Sequence, residues 1–126
     1  MKSSKMRVKG FTLVEMMIVV ALIGLLAAIA IPNWVHARTT SQTNACINNL
    51  RQIFGATQQW ALDYHQAASA TVTPDEVLPY LRNAVVCPAG GGAATFGTSY
   101  SLTTVTNIPI CRIAPTVHVL APDTTS

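Results

Sequence analysis

The sequence predicts an α+β protein in which one long N-terminal helix packs on a small C-terminal antiparallel sheet. An apolar run over residues 11–31 continues, over residues 32–66, into an amphipathic pattern with helical spacing. Residues 67–126 instead combine glycines, prolines, β-branched residues and alternating polarity, which is typical of short strands and turns. A length of 126 residues fits one small domain preceded by a basic extension over residues 1–10.

The basic extension carries four of the eight basic side chains, which are Lys2, Lys5, Arg7 and Lys9. The other four bases and the five acids sum to 4 − 5 = −1, so the net charge of +3 comes from the extension. Basic residues ahead of an apolar helix hold that end in the cytoplasm. We therefore expect everything after Pro32 to lie on the outer side, and we do not expect a nucleic-acid partner.

The apolar run over residues 11–31 is long enough to cross a bilayer as a helix. Its length corresponds to about 32 Å, close to the roughly 30 Å of a hydrocarbon core. Pro32 removes one backbone hydrogen bond, so we predict a kink near the membrane exit. Glu15 is unusual here, because an acidic residue at a bilayer centre is unfavourable by about 2.5–3.5 kcal/mol. It needs either a partner or an interfacial position near the helix start, where the helix dipole favours a negative charge.

The amphipathic segment over residues 32–66 presents one largely apolar face. The residues predicted on that face are Cys46, Ile47, Leu50, Ile53, Phe54, Thr57, Ala61 and Tyr64. A helix from Phe11 to about Gln66 would be roughly 84 Å long, too long to be buried in so small a domain. Its first half therefore needs lipid or other subunits around it.

The C-terminal head over residues 67–126 has too small a core to be stable by itself. Thr73 as N-cap, Pro74 at the first helical position and Glu76 three residues after the cap predict a short helix over 74–83. Pro79 should stop that helix early or split it. Two or three short antiparallel strands follow, and the head should pack on the apolar helix face and be stapled.

The staple is predicted from three cysteines, Cys46, Cys87 and Cys111, which all fall on the side where disulfides persist. An odd number gives one pair and one leftover thiol. A Cys87–Cys111 bond would close a loop of about 25 residues and contribute about 3.5 kcal/mol, while Cys46–Cys87 is the competing pair. Zinc ligation by Cys87, Cys111 and His118 fits no compact motif, so the disulfide is favoured and neither a metal nor another cofactor is predicted. No catalytic set has sequence support, so we predict no enzymatic activity.

The stretch "KGFTLVEMMIVVALIGLLAAIAIPN" resembles the prepilin signature shared by type IV pilins and type II secretion pseudopilins. The resemblance implies a pilin-like fold, leader cleavage between Gly10 and Phe11 on the cytoplasmic face, and N-methylation of the new Phe11 terminus. It further implies that Glu15 pairs with the terminal amine of a neighbouring subunit during assembly. A disulfide-bounded loop near the C-terminus, as in many type IV pilins, would correspond to Cys87–Cys111.

The same resemblance implies the partners. They are other copies of the chain in a helical filament, a prepilin peptidase that also methylates, an assembly ATPase and an inner-membrane platform. The precursor would sit in the inner membrane, and the assembled filament would lie outside the cell or in the periplasm. Three alternatives to a pilus subunit stay open: a secretion pseudopilin, a DNA-uptake pilin, and a single-pass anchored binding protein that never polymerises. The calcium-binding acidic cluster of major pseudopilins has little counterpart around Asp123.

Overall fold

The computed structural model describes residues 9–122, and the predicted roles of Lys2, Lys5, Arg7 and Asp123 therefore lie outside the described residues. The chain divides into two compact units, Met1–Ala37 and Arg38–Ser126, which are described separately. The element order is α1 (Leu13–Asp63), α2 (Pro74–Val77), α3 (Phe96–Ser99), β1 (Tyr100–Ser101) and β2 (Ile110–Cys111). A long N-terminal helix with a small antiparallel sheet confirms the predicted α+β class.

The first unit consists of the apolar part of α1 and the residues before it. Helix α1 contains an 18-residue window of mean hydropathy 2.7, and none of that window is buried. By length and composition, α1 is the one helix in the described residues that is able to cross a membrane. Pro32 lies inside α1, and helical structure continues through it. A change of direction at Pro32 stays a prediction.

The second unit begins with the amphipathic part of α1, whose buried face forms the core of the head. The α1 residues buried there are Cys46, Leu50, Ile53, Ala56, Thr57, Trp60 and Ala61. Most of the predicted face is therefore buried, but Tyr64 is 63% exposed. Tyr64 lies beyond the last helical residue, Asp63, so the helical spacing that predicted its burial no longer applies there.

Helix α1 ends at Asp63, three residues earlier than predicted, in a Schellman motif. The backbone N–H of Gln66 donates to the carbonyl of Ala61 at 2.8 Å, and that of His65 donates to Leu62 at 3.3 Å. His65 takes the left-handed conformation that this motif requires, with φ of 51°. The position is ordinarily filled by glycine or asparagine, which explains why the sequence pattern did not mark it.

The first short helix of the head begins as predicted and ends earlier. The Glu76 carboxylate accepts hydrogen bonds from the backbone N–H and the hydroxyl of Thr73, at 2.7 and 2.8 Å. Helix α2 then spans Pro74–Val77, and a 3-10 turn continues to Tyr80 instead of 83. The proline at position 79 lies inside that turn, in keeping with its expected effect on the helix.

The sheet has two short antiparallel strands, within the predicted two or three. Strands β1 and β2 are antiparallel, with Tyr100 opposite Cys111 and Ser101 opposite Ile110. A separate antiparallel bridge joins Thr71 to Thr104, on the stretch that precedes α2. The head is therefore held by side-chain packing on α1 more than by a sheet.

Candidate functional site

The predicted cleavage site lies before the first helical turn. Gly10 and Phe11 precede Leu13, where α1 begins, and neither is in regular secondary structure. Phe11 is 82% exposed. A Cβ atom added at Gly10 would meet nothing within 4 Å. The Gly10–Phe11 peptide bond is therefore accessible to a peptidase, and the protein's own packing does not require a glycine there.

Glu15 forms a capping box with Thr12 at the start of α1. Its carboxylate accepts hydrogen bonds from the backbone N–H of Thr12 at 2.9 Å and from the Thr12 hydroxyl at 3.1 Å. The Thr12 hydroxyl accepts in return from the Glu15 N–H at 3.3 Å. These bonds satisfy backbone donors that the first turn of a helix leaves unpaired. The T-x-x-E spacing signals this structure, but the sequence interpretation assigned no role to Thr12.

The apolar part of α1, together with Phe11 just before it, exposes large hydrophobic side chains around its whole circumference. Each of these is at least 47% exposed: Phe11, Leu13, Val14, Met16, Met17, Ile18, Val19, Val20, Leu22, Ile23, Leu25, Leu26, Ile29, Ile31, Trp34 and Val35. A soluble monomer does not leave such a surface in water. This surface needs lipid or the helices of other subunits.

In the head, the structure brings Cys87 and Cys111 together with two residues that the predicted disulfide does not use. Cys46 comes from α1, Cys87 from the segment before a 3-10 turn, Cys111 from the end of β2, and His118 from the C-terminal segment. The three Sγ atoms and one imidazole nitrogen all lie within 4.8 Å of one another. The cysteines are fully buried, and His118 is 4% exposed. We call these four residues the thiol–imidazole cluster.

The two cysteines that were predicted to pair lie close to each other and to His118. The Sγ atoms of Cys87 and Cys111 lie 3.8 Å apart, and all three cysteines are free thiols in this structure. The Nδ1 atom of His118 lies 3.5 Å from the sulfur of Cys87 and 3.6 Å from that of Cys111. A disulfide between Cys87 and Cys111 stays a prediction.

Polar contacts hold the segments that carry the cluster. Asn49, one turn after Cys46 on α1, donates to the Val86 carbonyl and to the Tyr100 hydroxyl, both at 3.0 Å. The Cys87 N–H donates to the Ser99 hydroxyl at 3.1 Å. The His118 N–H donates to the Ala114 carbonyl at 2.9 Å, closing a turn that returns the chain toward Cys111. These hydrogen bonds hold the segments that carry Cys46, Cys87, Cys111 and His118 in their positions around the cluster.

Burial and hydrogen bonding change the acidity of the cluster residues in opposite directions. Burial raises the pKa of the Cys46 thiol to about 12, and it also raises the pKa of the nearby Tyr100 hydroxyl. Burial acts to raise the pKa of the Cys111 thiol too, but hydrogen bonding by the backbone of Ala114 and Ile113 lowers it, and the net result is a lowered pKa. Among the cluster cysteines, Cys111 is therefore the one whose thiolate form is stabilised by hydrogen bonding to the backbone.

Comparison with known proteins finds a family match in the N-terminal segment and several similar proteins. Residues 5–31 match the family described as the prokaryotic N-terminal methylation motif. The type IV major pilin protein PilA of Myxococcus xanthus is 50% identical over 50 residues, which are 40% of this chain and 23% of that protein. The type IV major fimbrial protein FimA of Dichelobacter nodosus is 42% identical over 64 residues, or 51% of this chain and 41% of the relative.

A further similarity extends into the head. The type II secretion system core protein G of Klebsiella pneumoniae is 30% identical over 91 residues, which are 68% of this chain and 63% of the relative. The chain thus covers less than two thirds of the length of each of these relatives. No solved structure matches the chain significantly. The recognised resemblance to type IV pilins and type II secretion pseudopilins is confirmed by the motif and by these relatives.

Proposed function

We propose that the chain is a structural, non-enzymatic subunit of a type IV pilus or a related pseudopilus. The observation that carries this proposal is the coincidence of the methylation motif with a capped, fully exposed apolar helix. The relatives named as type IV major pilin and fimbrial proteins support it. The apolar helix would anchor the precursor in the inner membrane and then form the filament core, with the head at the filament surface.

In this proposal, the precursor is cut between Gly10 and Phe11 on the cytoplasmic face, and the new Phe11 amine is methylated. Lys9 and the other basic residues of the leader keep that face inside. The partners would be a prepilin peptidase, an assembly ATPase, an inner-membrane platform and further copies of the chain. The exposure of Gly10 and Phe11 supports the cleavage step, because a peptidase needs an accessible, extended bond.

Glu15 would help to position each incoming subunit. A carboxylate near lipid is unfavourable when alone and favourable when an opposite charge lies beside it. The methylated Phe11 amine of a neighbouring subunit would supply that charge. Pairing at one point along an otherwise uniform apolar helix would set the axial register of neighbouring subunits. Apolar contacts alone would allow their helices to slide along one another.

A secretion pseudopilus is the second candidate, favoured by one specific observation. The similarity to the type II secretion protein of Klebsiella pneumoniae covers 68% of this chain and reaches past α1. The same assembly chemistry would then serve protein export. Filaments on the surface of a host that lacks a type II secretion system would contradict this second candidate.

The experiment that tests subunit function compares the chain with its Gly10→Val variant in the native host. We expect the wild-type chain in sheared surface filaments, and the variant as an uncut precursor in the membrane fraction. Added volume at Gly10 meets no atom of the protein within 4 Å, so the variant should fold normally. Detection of the variant in filaments at the wild-type level would contradict a requirement for cleavage at this bond.

A further inference from the structure

We propose that Cys46, Cys87, Cys111 and His118 bind a structural zinc ion that staples the head. The four donors come from α1, the segment before the 3-10 turn, β2 and the C-terminal segment, yet their ligand atoms lie within 4.8 Å of one another. Pairs as far apart in sequence as Cys87 and His118 meet in this cluster. A disulfide between two of the cysteines would leave the third cysteine and His118 buried beside it with no part in the cross-link.

The separations in the cluster fit tetrahedral zinc coordination. With Zn–S bonds of about 2.3 Å and Zn–N bonds of about 2.0–2.1 Å, tetrahedral ligands lie about 3.8 Å apart for two sulfurs and about 3.6 Å for sulfur and nitrogen. The Cys87 and Cys111 sulfurs are 3.8 Å apart. The His118 nitrogen is 3.5 and 3.6 Å from them. Three edges of the tetrahedron are therefore already present, and the Cys46 sulfur completes it from no more than 4.8 Å.

The donor set selects the metal and the kind of site. Three cysteines and one histidine form one of the standard ligand sets of structural zinc, and thiolates disfavour hard cations such as Ca²⁺ and Mg²⁺. Four protein ligands leave no coordination position for a substrate or a reactive water. All four residues are buried, so the ion would be shielded from solvent and the thiolates from oxidants. Binding replaces three thiol protons, which are released to solvent.

The surroundings of the cluster suit a metal-bound thiolate set. Three thiolates and one neutral imidazole around Zn²⁺ carry a net charge of −1, which hydrogen-bond donors can offset. The Tyr100 hydroxyl lies 3.6 Å from the Cys46 sulfur, and Asn49 holds that hydroxyl in place. Such partners orient metal ligands and support their charge.

The size of the head explains why a metal is needed. Its sheet contains two strands of two residues each, and small domains of this kind depend on staples. A Cys87–Cys111 disulfide joins two segments, whereas zinc joins four and ties the C-terminal segment to α1. The site lies entirely after Ala37, so it does not depend on leader cleavage or on polymerisation.

The test measures metal content and thiol state in the full chain, purified in detergent without chelator or reductant. We expect one zinc ion per chain by elemental analysis. After denaturation with a chelator, we expect all three cysteines to be alkylated without reduction. A chain with no zinc and a Cys87–Cys111 or Cys46–Cys87 disulfide would overturn the proposal. So would iron or copper as the stoichiometric ion.

Cobalt substitution and matched variants test the ligand set. Cobalt(II) in the wild-type chain should give thiolate charge-transfer absorption and the bands of tetrahedral coordination. Cys46→Ser and His118→Asn should each weaken zinc binding by more than about 100-fold, beyond the 10–100-fold effect of outer-shell changes. The control is His65→Asn, which replaces a surface imidazole outside the cluster with a residue that tolerates the same backbone conformation. Equal zinc affinity in Cys46→Ser and the control would exclude Cys46 and contradict the four-ligand site.

Discussion

At the scale of single residues, Glu15 combines a local structural role with a proposed role in assembly. Its carboxylate closes the capping box with Thr12, a contact within one chain. Its charge is the feature that a neighbouring Phe11 amine would recognise. Glutamine also fits the third position of a capping box, because its side-chain oxygen accepts the same hydrogen bonds. The two roles are therefore separable by substitution.

We predict that Glu15→Gln reduces filament yield about tenfold, equivalent to a loss of roughly 1.4 kcal/mol per added subunit, although the cap is retained. Thr12→Ala removes the cap hydroxyl and keeps the charge, so its filament yield should stay within a factor of about five, as expected for a loss of roughly 0.5–1 kcal/mol. Quantitative immunoblotting of sheared filaments, normalised to total cellular protein, measures both. Normal assembly by Glu15→Gln together with a defect in Thr12→Ala would assign Glu15 to capping alone.

At the scale of elements, the two ends of α1 show what sequence patterns convey. The apolar run predicted a helix from Phe11, whereas the first helical residue is Leu13, directly after the T-x-x-E cap that the sequence interpretation did not use. Its end is different, because the helix stops at Asp63 by placing a histidine in the left-handed conformation. Amphipathic spacing continued as far as Tyr64 and gave no sign of this. Termination here depends on backbone hydrogen bonds that most residue types can make.

The left-handed conformation of His65 leads to a stability prediction. Glycine adopts this conformation without strain, whereas a Cβ atom makes it unfavourable by about 1–2 kcal/mol. The free energy of unfolding of His65→Gly should therefore be about 1 kcal/mol higher than that of His65→Ala. Thermal unfolding of the full chain in detergent, followed by circular dichroism, measures the difference. An alanine variant as stable as the glycine variant would show that the motif does not hold the helix end.

At the scale of the whole molecule, the sequence predicted the class of fold and the position of the N-terminal motif, which the family match over residues 5–31 confirms. The signals there are local: an apolar run and a motif, each within one stretch of chain. The thiol–imidazole cluster has no such signal, because Cys46, Cys87 and Cys111 meet only after the head has folded on α1. The available hints were the odd number of cysteines and the presence of His118, since three thiolates and a histidine make a complete zinc ligand set.

The measurement that tests the account most directly is intact mass and N-terminal sequencing of the chain recovered from sheared filaments of its native host. We predict a terminus at Phe11 bearing one added methyl group. A chain in those filaments that begins at Met1, or that has been cut after Ala30 in "LLAAIA", would contradict it. The apolar helix would then be an anchor or a removed signal, not the core of a filament.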